Sequence, residues 1–198
     1  MKYRKDKYGN NLSVLGFGCM RFKKKMGRIN MADAERQIMK AYNNGVNYFD
    51  TAYPYLNGKS ELAMAEALSR YPRDSYYIAD KFPGHSLNKP IDNIALFHVS
   101  LRKCRADYFD FYLLHNITEW SVKYYESEEY HIIPDIVQMK KEGYIKNLGF
   151  SFHGGPKLLE EFLTKYEGMF DFVQIQLNYA DWDNPLVHSG KLYQILSE

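Results

Sequence analysis

The sequence predicts an α/β fold of the parallel-barrel type, and three observations predict it. Short apolar, β-prone runs alternate with amphipathic helical stretches along the chain, the pattern of repeated β-α units. Three of those runs stop at ionisable groups: Val46 to Phe49 at Asp50, Tyr76 to Asp80 at Lys81, and Phe109 to Leu114 at His115. Such groups at successive strand ends are the sequence form of a site on the carboxyl face of a parallel barrel. The rival is a doubly wound nucleotide-binding sheet, which carries a Gly-rich fingerprint after its first strand. Gly16-Phe17-Gly18-Cys19 lacks the third glycine of that fingerprint and the acidic residue about 20 positions on.

Taken in order, Lys2 to Leu12 reads as a small hairpin, with turn chemistry from Gly9-Asn10-Asn11. Val14 to Gly18 is a short strand whose two glycines suit a close approach to backbone. The first helix has Asn30 as its cap, Asp33 in its first turn, and an apolar stripe at Ala34, Ile38, Ala41 and Tyr42. Gly45 stops it, and the strand ending at Asp50 follows. Ser60 is expected to cap a helix through Arg70, with Leu62, Ala65 and Leu68 on one face. Pro90 suits the first turn of the next helix, which presents Ile94, Phe97 and Leu101. Asn116 to Tyr130 reads as the longest irregular piece. Ile133, Ile136 and Val137 stripe a further helix closed by Gly143, and the strand Ile145 to Phe150 succeeds it. Pro156 opens a helix carrying Leu158, Phe162 and Tyr166, before a strand from Phe172 to Leu177 and a last helix from about Pro185. These make about six β-α units, in a single domain over residues 1–198.

The composition fits such a domain, with 45% apolar and 25% charged residues. A net charge of +2 argues against nucleic acid or an anionic membrane as partner. The one basic cluster, Lys23-Lys24-Lys25 with Arg21 and Arg28, reads as a solvated loop. The 18 tyrosines and 12 phenylalanines are spread along the chain and form no base-stacking series. Cys19 and Cys104 stand far apart with no ligand-like neighbours in sequence, so neither a disulfide framework nor a metal site is expected. No apolar signal core occupies residues 1–15 and no run reaches membrane-spanning length. The expectation is a soluble cytoplasmic protein; oligomeric state is left open.

Three stretches then resemble the aldo-keto reductases. Asp50-Thr51-Ala52-Tyr53 with Tyr55 is similar to their first signature. Ser100-Leu101-Arg102-Lys103, followed by Asp107 to His115, resembles the second. Lys140 to Ser151 is similar to the strand leading to the family's nicotinamide-contacting serine. Phe150 to Gly154 and Gln174 to Tyr179 most resemble a bacterial branch that often carries a ferredoxin-like 4Fe-4S segment near its C-terminus. The resemblance implies a (β/α)8 TIM barrel closed at its base by an N-terminal hairpin. About six β-α units fall short of that barrel, so a chain truncated before its last units is expected, and a 4Fe-4S cluster only if a segment follows Glu198.

The resemblance further implies reduction of a small aldehyde or ketone by hydride from NADPH, with NADH as the alternative. By motif position Tyr55 is the general acid, Lys81 the cation beside it, Asp50 the partner that holds Lys81, and His115 the group that orients the substrate oxygen. An ordinary phenol titrates near ~10, and a nearby cation favours its ionised form. Ser151 and Gln174 are implied contacts of the nicotinamide carboxamide; Gly18, Met20 and Thr51 would line the near side of its pocket. Phe152 stands where the family usually has asparagine. Singly, each of these residues has an ordinary structural role, such as a packed tyrosine or a turn aspartate; their joint placement at strand ends favours the catalytic one. Two other readings are a non-enzymatic barrel that binds nicotinamide as a sensor or scaffold, and an inactive truncated fragment.

Overall fold

The computed structural model describes residues 1–197. An N-terminal hairpin pairs β1 (Tyr3–Lys5) antiparallel with β2 (Asn11–Ser13), and its turn is tied by the Asp6 carboxylate, which accepts from the backbone N–H of Tyr8 and of Asn10. β3 (Phe17–Gly18) follows, then a second hairpin of β4 (Lys24–Lys25) and β5 (Arg28–Ile29). Helix α1 (Met31–Asn43) leads to β6 (Tyr48–Asp50), α2 (Ser60–Leu68) to β7 (Tyr77–Phe82), and α3 (Asn93–Cys104) to β8 (Phe109–Ile117). After the short α4 (Val122–Tyr125) come α5 (Ile132–Lys141), β9 (Ile145–Phe152), α6 (Pro156–Lys165), β10 (Phe172–Ile175) and α7 (Ser189–Ser197). The main sheet has the order β10-β9-β8-β7-β6-β3. Each strand thus lies beside its predecessor, the succession expected of β-α units in a barrel-type α/β fold.

Two compact units divide the chain, Met1–Lys81 with Ala95–Phe111, and Phe82–Ile94 with Tyr112–Glu198. In the first, α1 is capped by Asn30, whose side chain accepts from the N–H of Asp33. It ends in a Schellman turn: Val46 N–H donates to Ala41 O and Gly45 N–H to Tyr42 O, with Gly45 at φ +88°. Ile38, Phe49, Met64, Ile78, Phe97 and Phe109 are fully buried in this unit. In the second, α5 ends in the same turn at Gly143, and the rings of Phe150, Phe162 and Phe170 pack 4.9 to 5.7 Å apart.

A Phe-Asp-Phe triplet recurs at the start of β8 and again before and into β10, and its aspartate does the same work twice. Asp110 Oδ2 accepts from Ile78 N–H and from Arg73; Asp171 Oδ2 accepts from Leu148 N–H and from Lys140. Each carboxylate therefore satisfies a backbone N–H of the neighbouring strand, at the second residue of β7 and the fourth of β9, and balances its charge on a cation.

Several expected boundaries move, for identifiable reasons. The strand expected from Val46 begins at Tyr48, because Val46 N–H closes the helix end and the Asn47 side chain bridges to the hairpin at Ser13 N and Asn11 O. The strand expected from Val14 shrinks to Phe17–Gly18, with Val14 and Leu15 exposed. Lys81 and His115 do not follow their strands but lie inside them, since β7 runs to Phe82 and β8 to Ile117; β9 likewise runs to Phe152. Ser60 is the first residue of α2, not its cap, because its hydroxyl is turned to the Cys19 carbonyl. Leu62 and Ile94 are exposed; Ala63, Met64 and Ala67 fill the buried side of α2 in place of Leu62. α3 starts three residues past Pro90, where the Asn93 amide donates to Tyr130 O and Asp135. In α5 the buried positions include Met139 rather than Val137. Asn116 to Tyr130 is not wholly irregular: it holds the end of β8 and all of α4. The lysine cluster forms the β4–β5 hairpin, exposed as expected but not a loop. The strand expected to Leu177 stops at Ile175, and the last helix starts at Ser189; its expected end at Glu198 lies outside the described residues.

β9 and β10 are parallel, with Gly149 opposite Phe172. A Cβ on Gly149 would fall against the Phe172 carbonyl oxygen and 2.7 Å from its ring, so only glycine lets the two strands approach. Gly149→Ala is expected to destabilise the fold by about 1–3 kcal/mol, the usual cost of overpacking, read as a lowered urea midpoint.

Candidate active site

β6 brings Asp50 opposite Gly18 on one side and Ala79 on the other. Two residues beyond Ala79, Lys81 points the same way as Ala79 by strand alternation. Its ammonium donates to Asp50 Oδ1 at 2.5 Å and to the Thr51 carbonyl at 2.7 Å. Lys81 is 2% exposed, and a cation so buried persists only when paired and hydrogen-bonded. The ammonium also stands 5.0 Å from the centre of the Tyr55 ring.

Tyr55 is held by a tight loop. Its N–H donates to Ala52 O, and its own carbonyl accepts from Gly58 and Ser60. Leu56, Asn57 and Gly58 follow at φ +53°, +58° and +74°, a run of left-handed backbone that costs energy at its non-glycine members. Ser60 Oγ ties the loop back, donating to the Cys19 carbonyl at 2.7 Å and bonding Thr51 Oγ1 at 2.9 Å. Partial burial pushes the Tyr55 phenol above the ordinary tyrosine value; the hydrogen bond and charge of Lys81 pull it down, and Asp50 pushes it up again. Lys81 favours the ionised form, as a cation beside a phenol should, and burial is the larger, opposing effect. The phenol is held as the acid, with a cation ready for its anion.

Of the other first-unit residues, Gly18 borders open space, where a Cβ would meet nothing within 4 Å, and Met20 is about half exposed at 49%. Thr51 is fully buried, its hydroxyl engaged by Ser60.

His115, Ser151 and Gln174 belong to the second unit. His115 is buried, and the ring of His85 stands edge-on to it at 4.7 Å. Burial pushes the His85 imidazole below the ordinary histidine value. Tyr125 OH donates to the His115 carbonyl at 2.5 Å and accepts from the backbone N–H of His85 at 3.2 Å. Ser151 is opposite Gln174 in the β9–β10 register, so the two share a sheet face. Ser151 Oγ accepts from Asn116 N–H at 2.7 Å, which leaves its own hydrogen free to donate. Gln174 is exposed. Phe152 is buried beside Phe150, ring centres 6.3 Å apart.

Sequence reasoning did not find three participants. The Thr51 carbonyl, a backbone group, leaves no mark in side-chain patterns. Tyr125 lies on a helix of four residues, too short for periodicity to show. Cys104, expected to lack ligand-like neighbours, has Glu61 and Asp80 beside it in space; both cysteines are free thiols.

With this geometry in place, the chain can be set beside known proteins. Residues 14–196 match the profile of the Aldo/keto reductase family. An L-galactose dehydrogenase of Arabidopsis thaliana is 29% identical over 155 residues, covering 72% of this chain and 46% of the plant protein. A probable aldo-keto reductase of Glycine max is 28% identical over 186 residues, 88% of this chain and 50% of that protein. A methylglyoxal reductase of Escherichia coli O157:H7 is 32% identical over 133 residues, 63% and 43%. The chain spans about half the length of these curated relatives. Among solved structures, a thermostable aldo-keto reductase bound to epalrestat superposes with a TM-score of 0.76 at 22% identity, covering all of this chain and 69% of the other. An aldo-keto reductase of Klebsiella pneumoniae in complex with NADPH gives 0.69 at 20% identity, 94% and 63%. The fold is thus α/β of the TIM-barrel type.

Proposed function

Because the chain belongs to the aldo/keto reductase family, we propose that it reduces a small aldehyde or ketone to the alcohol with NADPH, and that Tyr55 is the general acid. The observation that carries this reading is the Lys81 ammonium, ion-paired to Asp50 and set against the Tyr55 ring. Tyr55 donates its phenolic proton to the carbonyl oxygen, which becomes the alcohol hydroxyl. Lys81 stabilises the phenolate left behind until water reprotonates it. Asp50 and the Thr51 carbonyl fix the direction of the ammonium. His115 enters by motif position, as the donor that orients the carbonyl oxygen. The methylglyoxal reductase among the relatives supports a small carbonyl as the substrate class.

The donor set of the second unit fits a nicotinamide carboxamide. Ser151 has a hydroxyl hydrogen to give to the amide oxygen, and Gln174, on the same face, offers both a donor and an acceptor. Gly18, Met20 and Thr51 enter the proposal by motif position alone, as further cofactor-binding residues. The bound cofactor supplies hydride.

NADPH titration followed by fluorescence quenching, with NADH alongside, is the direct test. Saturable binding together with carbonyl-dependent NADPH consumption is the expected result. Binding without consumption across small aldehydes and ketones favours a sensor or scaffold, and no binding by a folded sample overturns the cofactor assignment.

A further inference from the structure

On the other side of β7 from Lys81 lies a second cluster of charge. Asp80 and Glu61 are fully buried, and Cys104 nearly so. One candidate ligand atom from each lies within 4.8 Å of the others. Glu61 Oε2 accepts from Lys103 Nζ at 2.9 Å. The Ser100 hydroxyl approaches Glu61 and the Lys81 backbone N–H approaches Asp80, but among the described residues no well-formed hydrogen bond reaches Glu61 Oε1 or either Asp80 oxygen. An ionised carboxylate left in that condition costs several kcal/mol.

The groups facing the pair can be counted from every element packed there. α2 brings Glu61; α3 brings Ser100, Lys103 and Cys104; β7 brings Asp80 and Lys81; Asp50 on β6 and Cys19 stand behind them. Burial holds the Cys104 thiol well above its ordinary value, so it stays neutral. Three acids, Asp50, Glu61 and Asp80, then face two ammonium groups, and both of these are already engaged: Lys81 with Asp50 and Lys103 with Glu61. The cluster is one positive charge short.

We propose that this charge is a proton, held between Asp80 and Glu61 in the folded protein, with Asp80 as the acid that donates to the Glu61 carboxylate. The bond gives Glu61 Oε1 a well-formed donor, leaves the cluster neutral, and removes the need for a second ionised carboxylate in a buried site with few donors. Two buried carboxyl groups side by side share a proton for the same reason wherever they occur. Burial and the Glu61 charge both push Asp80 well above the ordinary carboxylate range, in keeping with that assignment. Neutral Asp80 also spares the far side of β7: ionised, it would raise the Tyr55 phenol further and compete for the Lys81 charge.

Asp80→Asn tests this without recourse to activity. Asparagine keeps a donor for Glu61 and cannot ionise. A carboxyl kept protonated by folding loses stability as pH rises, because the unfolded chain releases the proton and the folded chain does not. From pH 5 upward the wild-type folding equilibrium should fall relative to D80N by about tenfold per pH unit, until the folded carboxyl titrates. Parallel pH profiles for the two proteins overturn the proposal. Infrared spectroscopy of the wild type at pH 7 decides even if D80N does not fold: a protonated-carboxyl C=O band is expected, and its absence overturns the assignment. Zinc added alone must neither stabilise the wild type nor remove that band; tight, EDTA-reversible binding lost with Asp80 would show that a cation, not a proton, fills the deficit.

Discussion

Tyr55→Phe should abolish carbonyl turnover while leaving NADPH affinity within a few-fold of wild type. The substitution removes one oxygen from a half-buried ring and keeps the face that stands 5.0 Å from Lys81 Nζ, so little packing changes. General acid catalysis is worth typically ~10²–10⁴-fold, and loss of that order is expected in kcat, measured as NADPH consumption at saturating carbonyl. Retained turnover would move the acid to another residue. A parallel collapse of NADPH binding would mean that the ring, rather than its proton, is what matters.

Lys81→Met should be the most damaging single change to the fold. Methionine fills much of the lysine volume but leaves the Asp50 carboxylate without its cation and the Thr51 carbonyl without its donor. Asp50 Oδ2 is already buried with no hydrogen-bond partner among the described residues. Breaking a buried pair from one side costs roughly 3–5 kcal/mol, to be read from urea unfolding of K81M. Lys81→Met combined with Asp50→Asn removes the stranded charge and should recover part of the loss. A double mutant no more stable than K81M would show that packing around Lys81, and not the orphaned carboxylate, sets the cost.

Much of this arrangement was written in local sequence. Asp50 and Lys81 stood out at strand ends, Tyr55 by its motif position, and the ion pair that the resemblance implied between Asp50 and Lys81 is present. Asn30, Gly45 and Gly143 marked helix ends correctly because caps and left-handed turns depend on neighbouring residues alone. Tertiary contacts decided the rest. Leu62 satisfied the helical stripe yet is exposed, while Ser60 chose a carbonyl 41 residues away over the helix end beside it. The burial of Tyr55, which opposes the pull of Lys81 on its phenol, likewise could not be read from its neighbours in the chain. Asp80, Glu61 and Cys104 met because alternation along β7 turns Asp80 toward the helices, a fact visible only once α2 and α3 are in place.

The parallel pairing of β9 with β10 acts as a gauge for a distant pair of side chains. Gly149 and Phe172 fix the sliding position of the two strands, and Ser151 meets Gln174 two steps further along the same ladder. Slippage by a single step would turn one of the two to the opposite side of the sheet, dividing the hydroxyl and the side-chain amide between two surfaces. Glycine at position 149 therefore sets the register that places Ser151 and Gln174 side by side, and any side chain there would disturb that spacing.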